Sequence, residues 1–283
     1  MSARRWLVTG AGSGIGLELV KQLLQRGDFV LGTSRDLTNL EMLLREYPGT
    51  LILYPLDMTD RAAIGGAVDA AVAAWGGFDV VVSNAGYALL GAAEEVSDVE
   101  IEHQLATNLL GPIHLIRSAL PHFRTQKSGW IVQMSSEAGQ TSLPSLSLYH
   151  ASKWGIEGFC EAVAEETAEF GIFVTIVCPG RVKTGFDANA VVAQTIESYK
   201  QTSSGNLRRL LAMGRIASMG DPLKVAAAII AEGDRRTPRR RLILGSDAWR
   251  HVHAALSSRV RLVESQENEA ERTDIQHDDK GGP

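Results

Sequence analysis

The chain has 283 residues, with 28 Lys plus Arg against 33 Asp plus Glu and a formal net charge of -5. The acid excess sits in 264–283, where only Arg272 and Lys280 are basic, so the rest is charge-balanced and lacks the basic surplus that non-specific nucleic-acid binding needs. An apolar share of 45% excludes disorder of the whole chain, and two isolated cysteines, Cys160 and Cys178, argue against a disulfide scaffold or a metal site.

No run approaches the ~18 uncharged apolar residues of a membrane span, and the apolar start Trp6-Leu7-Val8 is far shorter than a secretory leader's core. The expectation is a soluble, cytoplasmic protein that binds neither nucleic acid nor membrane.

In chain order, Trp6–Val8 reads as a strand, followed by a glycine cluster and a helix over Leu17–Gln25. Phe29–Thr33 is a strand, Asn39–Tyr47 a helix, Leu51–Leu56 a strand and Arg61–Trp75 an Ala-rich helix. Asp79–Ser83 is an apolar strand, a helix follows from about Asp98 to His122, and Trp130–Met134 is the next strand. Tyr149–Phe170 is helical, Phe173–Val177 extended, and Asp221-Pro222 reads as an N-cap and first turn. Leu242–Leu244 is the last strand.

Apolar strands alternating with amphipathic helices specify a parallel sheet covered on both faces. We therefore expect one α/β domain over 1–263, a doubly wound sheet of about seven strands. Residues 185–220 break the rhythm and read as a substrate-covering segment. Residues 264–283 are polar, lack aromatics and read as a disordered tail.

Thr9-Gly10-Ala11-Gly12-Ser13-Gly14-Ile15-Gly16 lies between the first strand and first helix. A dinucleotide's pyrophosphate needs close backbone approach and free N–H groups at a helix start, and glycines there provide both. The strict GxGxxG spacing is not met; GxxxGxG, from Gly10, Gly14 and Gly16, is.

This loop resembles the cofactor loop of the short-chain dehydrogenase/reductase family. Further motifs of that family follow in order: Asn84-Ala85-Gly86 after the fourth strand, with Ser83 in place of the commoner Asn; Asn108; Ser136; Tyr149-His150-Ala151-Ser152-Lys153; and Pro179-Gly180 with Thr184. The resemblance runs from residue 6 to about 184, with further alignment over 221–247. It is similar to steroid- and retinol-type carbonyl reductases, without carrying over their specificity.

The resemblance implies a Rossmann-type fold and a nicotinamide cofactor. Gly10, Ser13, Gly14, Ile15, Gly16, Asn84, Ala85 and Gly86 would line the nucleotide site, and Pro179, Gly180 and Thr184 the nicotinamide end. Ser34 occupies the slot of the acid that selects NAD, with Arg35 next, so NADP(H) is favoured over NAD(H); Arg35 as a plain surface charge is the alternative. Asp57 either contacts adenine or caps the helix starting near Asp60.

Tyr149 and Lys153 are i,i+4 neighbours on one helix face, and a nearby ammonium should lower the phenol's pKa. Ser136, thirteen residues before Tyr149 as in the family, is assigned the catalytic hydroxyl ahead of Ser135.

The implied reaction is hydride transfer between NADP(H) and a ketone, aldehyde or secondary alcohol, the substrate being fairly apolar. Ser136 would bind the oxygen, Tyr149 exchange the proton, Lys153 hold the nicotinamide ribose and Asn108 position a water. Two alternatives are an NAD-dependent alcohol dehydrogenase and a catalytically idle nucleotide-binding regulator. By analogy with the family, a homodimer or homotetramer is expected.

Overall fold

The computed structural model of the chain describes residues 3–275. The elements run β1 (Arg5–Thr9), α1 (Gly14–Arg26), β2 (Phe29–Ser34), α2 (Thr38–Glu46), β3 (Leu51–Pro55), α3 (Arg61–Trp75), β4 (Val80–Ser83) and β5 (Leu89–Leu90). Then come α4 (Asp98–Leu105), α5 (Gly111–Gln126), β6 (Gly129–Met134), α6 (Ser147–Thr167), β7 (Ile172–Pro179) and β8 (Val191–Val192). The chain continues through α7 (Ser203–Ala212), α8 (Pro222–Gly233), β9 (Arg241–Leu244), α9 (Ser246–Glu264) and α10 (Glu267–Glu271).

Seven strands form one parallel sheet in the order β3-β2-β1-β4-β6-β7-β9. Alternation along each strand divides the core in two. From β1, Leu7 joins the layer under α3, α5 and α6, with Ile64, Leu115, Phe123 and Ile156. Its neighbours Trp6 and Val8 face the other layer, under α1 and α8, with Leu19, Leu23, Ile229 and Ile230. This is the doubly wound α/β architecture expected from the strand–helix rhythm. Strand order reverses between β1 and β4, and the crevice at the carboxyl ends of those strands is where such sheets bind ligands.

Three segments differ from the sequence expectation. The helix expected over 98–122 is interrupted by a π-helical turn at Ala106–Leu110. Pro112, in the first turn of α5, has no N–H to return to the Asn108 carbonyl, so the regular i→i−4 ladder loses a bond where the π-helical turn meets α5. The 185–220 segment carries its own elements: β8 pairs with β5, Leu89 opposite Val191, and α7 follows.

The third difference is at the C-terminus. The expected tail begins inside a helix, because α9 runs on through Glu264 and α10 follows; positions 276–283 lie outside the described residues. Ala248 and Val252 seat the start of α9 on the body, while Leu256, Val260 and Val263 extend its apolar spacing beyond the contact.

Candidate active site

The loop after β1 is built around backbone crowding. Gly10 and Gly14 have φ of 65° and 54°, left-handed conformations that disfavour a side chain. A Cβ on Gly16 would lie 2.2 Å from the Gly10 carbonyl oxygen and 2.6 Å from Asn84 Nδ2. Asn84 is the reason: its Nδ2 donates to the carbonyls of Thr9 (2.9 Å) and Gly10 (3.1 Å), tying the end of β4 to the loop. The Thr9 hydroxyl accepts from the backbone N–H groups of Asn84 (2.9 Å) and Ala85 (3.2 Å), completing the tie.

Ser13 is the extended residue before α1, exposed and without a side-chain cap bond, so its hydroxyl is available at the helix start. Ile15 packs on the α1 side of the core. Thr184 reaches the other end of the loop, its Cγ2 3.2 Å from where a Gly14 Cβ would stand. The cradle is therefore a glycine-lined concavity at a helix N-terminus, which fits a pyrophosphate-bearing nucleotide.

Beside it, Ser34 packs against Gly12, while Arg35 is exposed and has no ion pair among the described residues. Its charge helps hold the Asp57 carboxyl below the usual range, after the larger effect of the bond from the Thr59 backbone. Asp57 accepts from Thr59 N and Oγ1, both 2.8 Å, whereas Asp60 caps α3 through Ala62 and Ala63. The capping alternative for Asp57 is thereby excluded. Asp36 turns the chain into α2 by accepting from Thr38.

Gly86 abuts Asn108, whose side chain is 1% exposed and clasps the Tyr87 backbone, accepting from its N–H (3.1 Å) and donating to its carbonyl (2.8 Å). Lys153 is buried and donates to the Met134 carbonyl at 2.9 Å. Its Nζ lies 5.7 Å from the centre of the Tyr149 ring. Ser136 starts the short turn after β6 and accepts from Ala138 N at 3.2 Å.

Ser135 instead donates to the buried Glu157 carboxylate at 2.5 Å, which separates the two serines: Ser136 is the one left facing Tyr149. His150 points the other way, bracing the same turn between Leu143 N and the Ala138 carbonyl. Pro179 ends β7, and Gly180 donates its N–H to the Leu244 carbonyl.

The electrostatics reverse one expectation. Burial pushes the Tyr149 phenol up to about 12, with the Ser136 hydroxyl pulling weakly the other way, and draws Lys153 down to about 8. Removing charge from water outweighs the mutual effect of the pair, so the phenol is more firmly protonated than a free one, not more acidic.

Sequence reading missed several supports. Asp247 at the start of α9 accepts from Arg181 N (3.0 Å), and its carboxylate crowds Gly180. Arg241 reaches inward to Glu157 and Glu161, while Arg239 and Arg240 pair with Glu232 and Glu165. Only contacts between distant elements reveal these.

The sequence model described as short chain dehydrogenase matches residues 4–194. The chain belongs to the short-chain dehydrogenase family. The chain is 33% identical over 252 residues to an oxidoreductase, BOA17, of Botryotinia fuckeliana, covering 88% of this chain and 92% of that protein. It is 32% identical over 240 residues to a 3-ketodihydrosphingosine reductase of Bacteroides thetaiotaomicron, covering 84% and 87% respectively.

Among solved structures, a short-chain dehydrogenase from Streptomyces avermitilis superposes with a TM-score of 0.89 at 35% identity, over 96% of this chain and 99% of that one. A serine dehydrogenase in its closed form with NADP+ gives 0.72 at 25% identity, over 85% and 94%. The chain is thus an oxidoreductase of known architecture. No helix among the described residues is long and apolar enough to cross a membrane.

Proposed function

We propose that this dehydrogenase reduces the carbonyl of an apolar ketone or aldehyde with NADPH, using Tyr149 as the proton donor. The observation that carries the reading is Tyr149 with Ser136 and Lys153 at its side, next to a glycine cradle at the switch point of the sheet. Bound NADPH supplies the hydride. The chain's own residues do the rest.

Ser136 and Tyr149 each offer a hydroxyl to the substrate oxygen, and donors aimed where negative charge develops stabilise an alkoxide. Tyr149 then gives its proton to that oxygen. Burial raises the phenol to about 12, so it carries its proton throughout the neutral range and is in the donor form when reduction begins. Lys153, fixed by the Met134 carbonyl, would stabilise the phenolate left behind and hold the nicotinamide ribose of a bound cofactor. Asn108, its side chain committed to Tyr87, would position a water for proton return through its backbone.

NADP over NAD is supported by Ser34 and the exposed Arg35. The acids nearby, Asp36 and Asp57, are engaged with Thr38 and Thr59 rather than presented to a ribose hydroxyl. An apolar substrate is supported by the surroundings of Tyr149: Ala88, Ala138, Leu146, Ala190 and the Phe186 ring 6.1 Å away. The relative named a 3-ketodihydrosphingosine reductase points to the same class.

The test is a panel of aldehydes, cyclic ketones, steroids and β-ketoacyl thioesters, read by NADPH absorbance, with parallel NADPH and NADH titrations. Consumption of NADPH by an apolar carbonyl is expected. Failure to bind either nucleotide would remove the reading, and tighter binding of NADH would replace NADP by NAD.

A further inference from the structure

Eight residues beyond Tyr149 and four beyond Lys153, α6 places a third polar residue on the same stripe: Glu157. It is 3% exposed, deep in a layer that is otherwise apolar. A carboxylate there is costly unless donors surround it.

They converge from three other parts of the chain. Ser135 Oγ, just after β6, donates at 2.5 Å, and Gln140 Nε2 donates from the far end of the same turn. Arg241 on β9 donates Nη1, and Cys178 Sγ on β7 lies 3.5 Å away. Between the two turn contacts, a Cβ on Gly139 would fall 1.9 Å from Glu157 Oε1, so the turn backbone lies directly on the carboxylate.

We propose that Glu157 is a positioning residue: its carboxylate ties both ends of the Ser135–Gln140 turn to α6, fixing the Ser136 hydroxyl relative to Tyr149, and its charge, balanced by Arg241, retains the Lys153 ammonium. This rests on the reading of Tyr149 and Ser136 given above.

The geometry makes the first half concrete. Ser136 meets Ala138 N and the Tyr149 hydroxyl, and its place in the turn is set by Ser135 beside it and Gln140 at the far end, both held by Glu157, with Glu137 between them held by His251. The second half follows from charge. Lys153 faces Tyr149 and Glu157 on its own helix and Cys178 from β7; Glu157 in turn faces Arg241, with Glu161 and Cys160 nearby on α6. Burial favours loss of the Lys153 proton, and the Glu157 charge, more than Cys178, opposes that loss.

The test compares Glu157→Gln, Gln140→Ala and Tyr149→Phe on the best carbonyl of the panel. Glu157→Gln keeps the shape but removes the charge and one acceptor. Its kcat is expected to fall about 10- to 100-fold, as for a displaced catalytic group, while NADPH affinity stays within about twofold. The alkaline limb of its kcat profile should move to lower pH.

Gln140→Ala, at the rim of the core, should fold normally, lose kcat several-fold and leave that limb in place, because the charge remains. Amide hydrogen exchange at 138–140 should speed up in both variants, a readout that needs no substrate.

A kcat within twofold of wild type in Glu157→Gln, or an unmoved alkaline limb, would overturn the proposal. If that variant does not fold, wild-type kcat and unchanged exchange in Gln140→Ala would overturn it. Turnover retained by Tyr149→Phe would instead bring down the reading of the site itself, so the two failures are distinguishable.

Discussion

Replacing Gly16 by Ala sets two effects against each other. Gly16 lies in the first turn of α1, where Ala is favoured over Gly by up to about 1 kcal/mol from helix propensity. Against this, the new methyl would stand 2.2 Å from the Gly10 carbonyl oxygen, whereas side-chain β-carbons essentially never come closer than 3.0 Å to such atoms. The loop must retreat by at least about 0.8 Å, at an overpacking cost of about 1–3 kcal/mol.

The retreat also strains the Asn84 bonds to Thr9 O and Gly10 O, worth about 0.5–1.5 kcal/mol each. Crowding wins. Gly16→Ala should be destabilised by about 2–4 kcal/mol net, lowering Tm by about 3–7 °C for a chain of this size, and should bind NADPH at least about tenfold more weakly. Gly65→Ala is the control. It is also helical, but a Cβ there meets nothing within 4 Å, so propensity acts alone and Tm should rise slightly. Thermal unfolding and NADPH titration of both variants decide the matter. A Gly16→Ala protein as stable as Gly65→Ala, with wild-type NADPH affinity, would refute the crowded-cradle account.

Arg35→Ala should weaken NADPH about 10- to 100-fold while leaving NADH nearly unchanged, measured by fluorescence titration of each nucleotide. Arg208→Ala strands Glu95, whose side chain is fully buried and also accepts from Ala92 N and Ile196 N. Losing one partner of such a pair costs about 3–5 kcal/mol, and because it pins the 185–220 segment, KM for the carbonyl should rise more than kcat falls. Reductive turnover should decline as pH rises through about 8, where Lys153 loses its proton. The acid Tyr149, held up at about 12, imposes no loss before that point, so a kcat–pH profile should show a single alkaline limb.

The sheet was legible because its strands are short apolar runs and its helices carry one apolar stripe, as in Trp6–Val8 and Leu17–Gln25. The site residues were legible for a different reason: Gly10–Gly16, Tyr149 and Lys153 act through fixed local spacing. What escaped depends on chain segments meeting from far apart. Thr9 is an ordinary strand residue until Asn84 is placed against it, 75 residues on. Glu157 reads as one more helix acid until β9 brings Arg241 to it, and Asp247 as a surface acid until Gly180 packs on it. The pKa of Tyr149 was misjudged because i,i+4 spacing reveals the neighbour but not the depth of burial.

Substitution of Tyr149 by Phe removes one oxygen atom and leaves the glycine cradle, Arg35 and Thr184 untouched. On an accepted carbonyl, NADPH consumption should drop by about 10²- to 10⁴-fold, the range for loss of a general acid, while NADPH still binds within about twofold of wild type. Undiminished NADPH consumption by that variant would contradict the assignment of the proton donor and, with it, the mechanism.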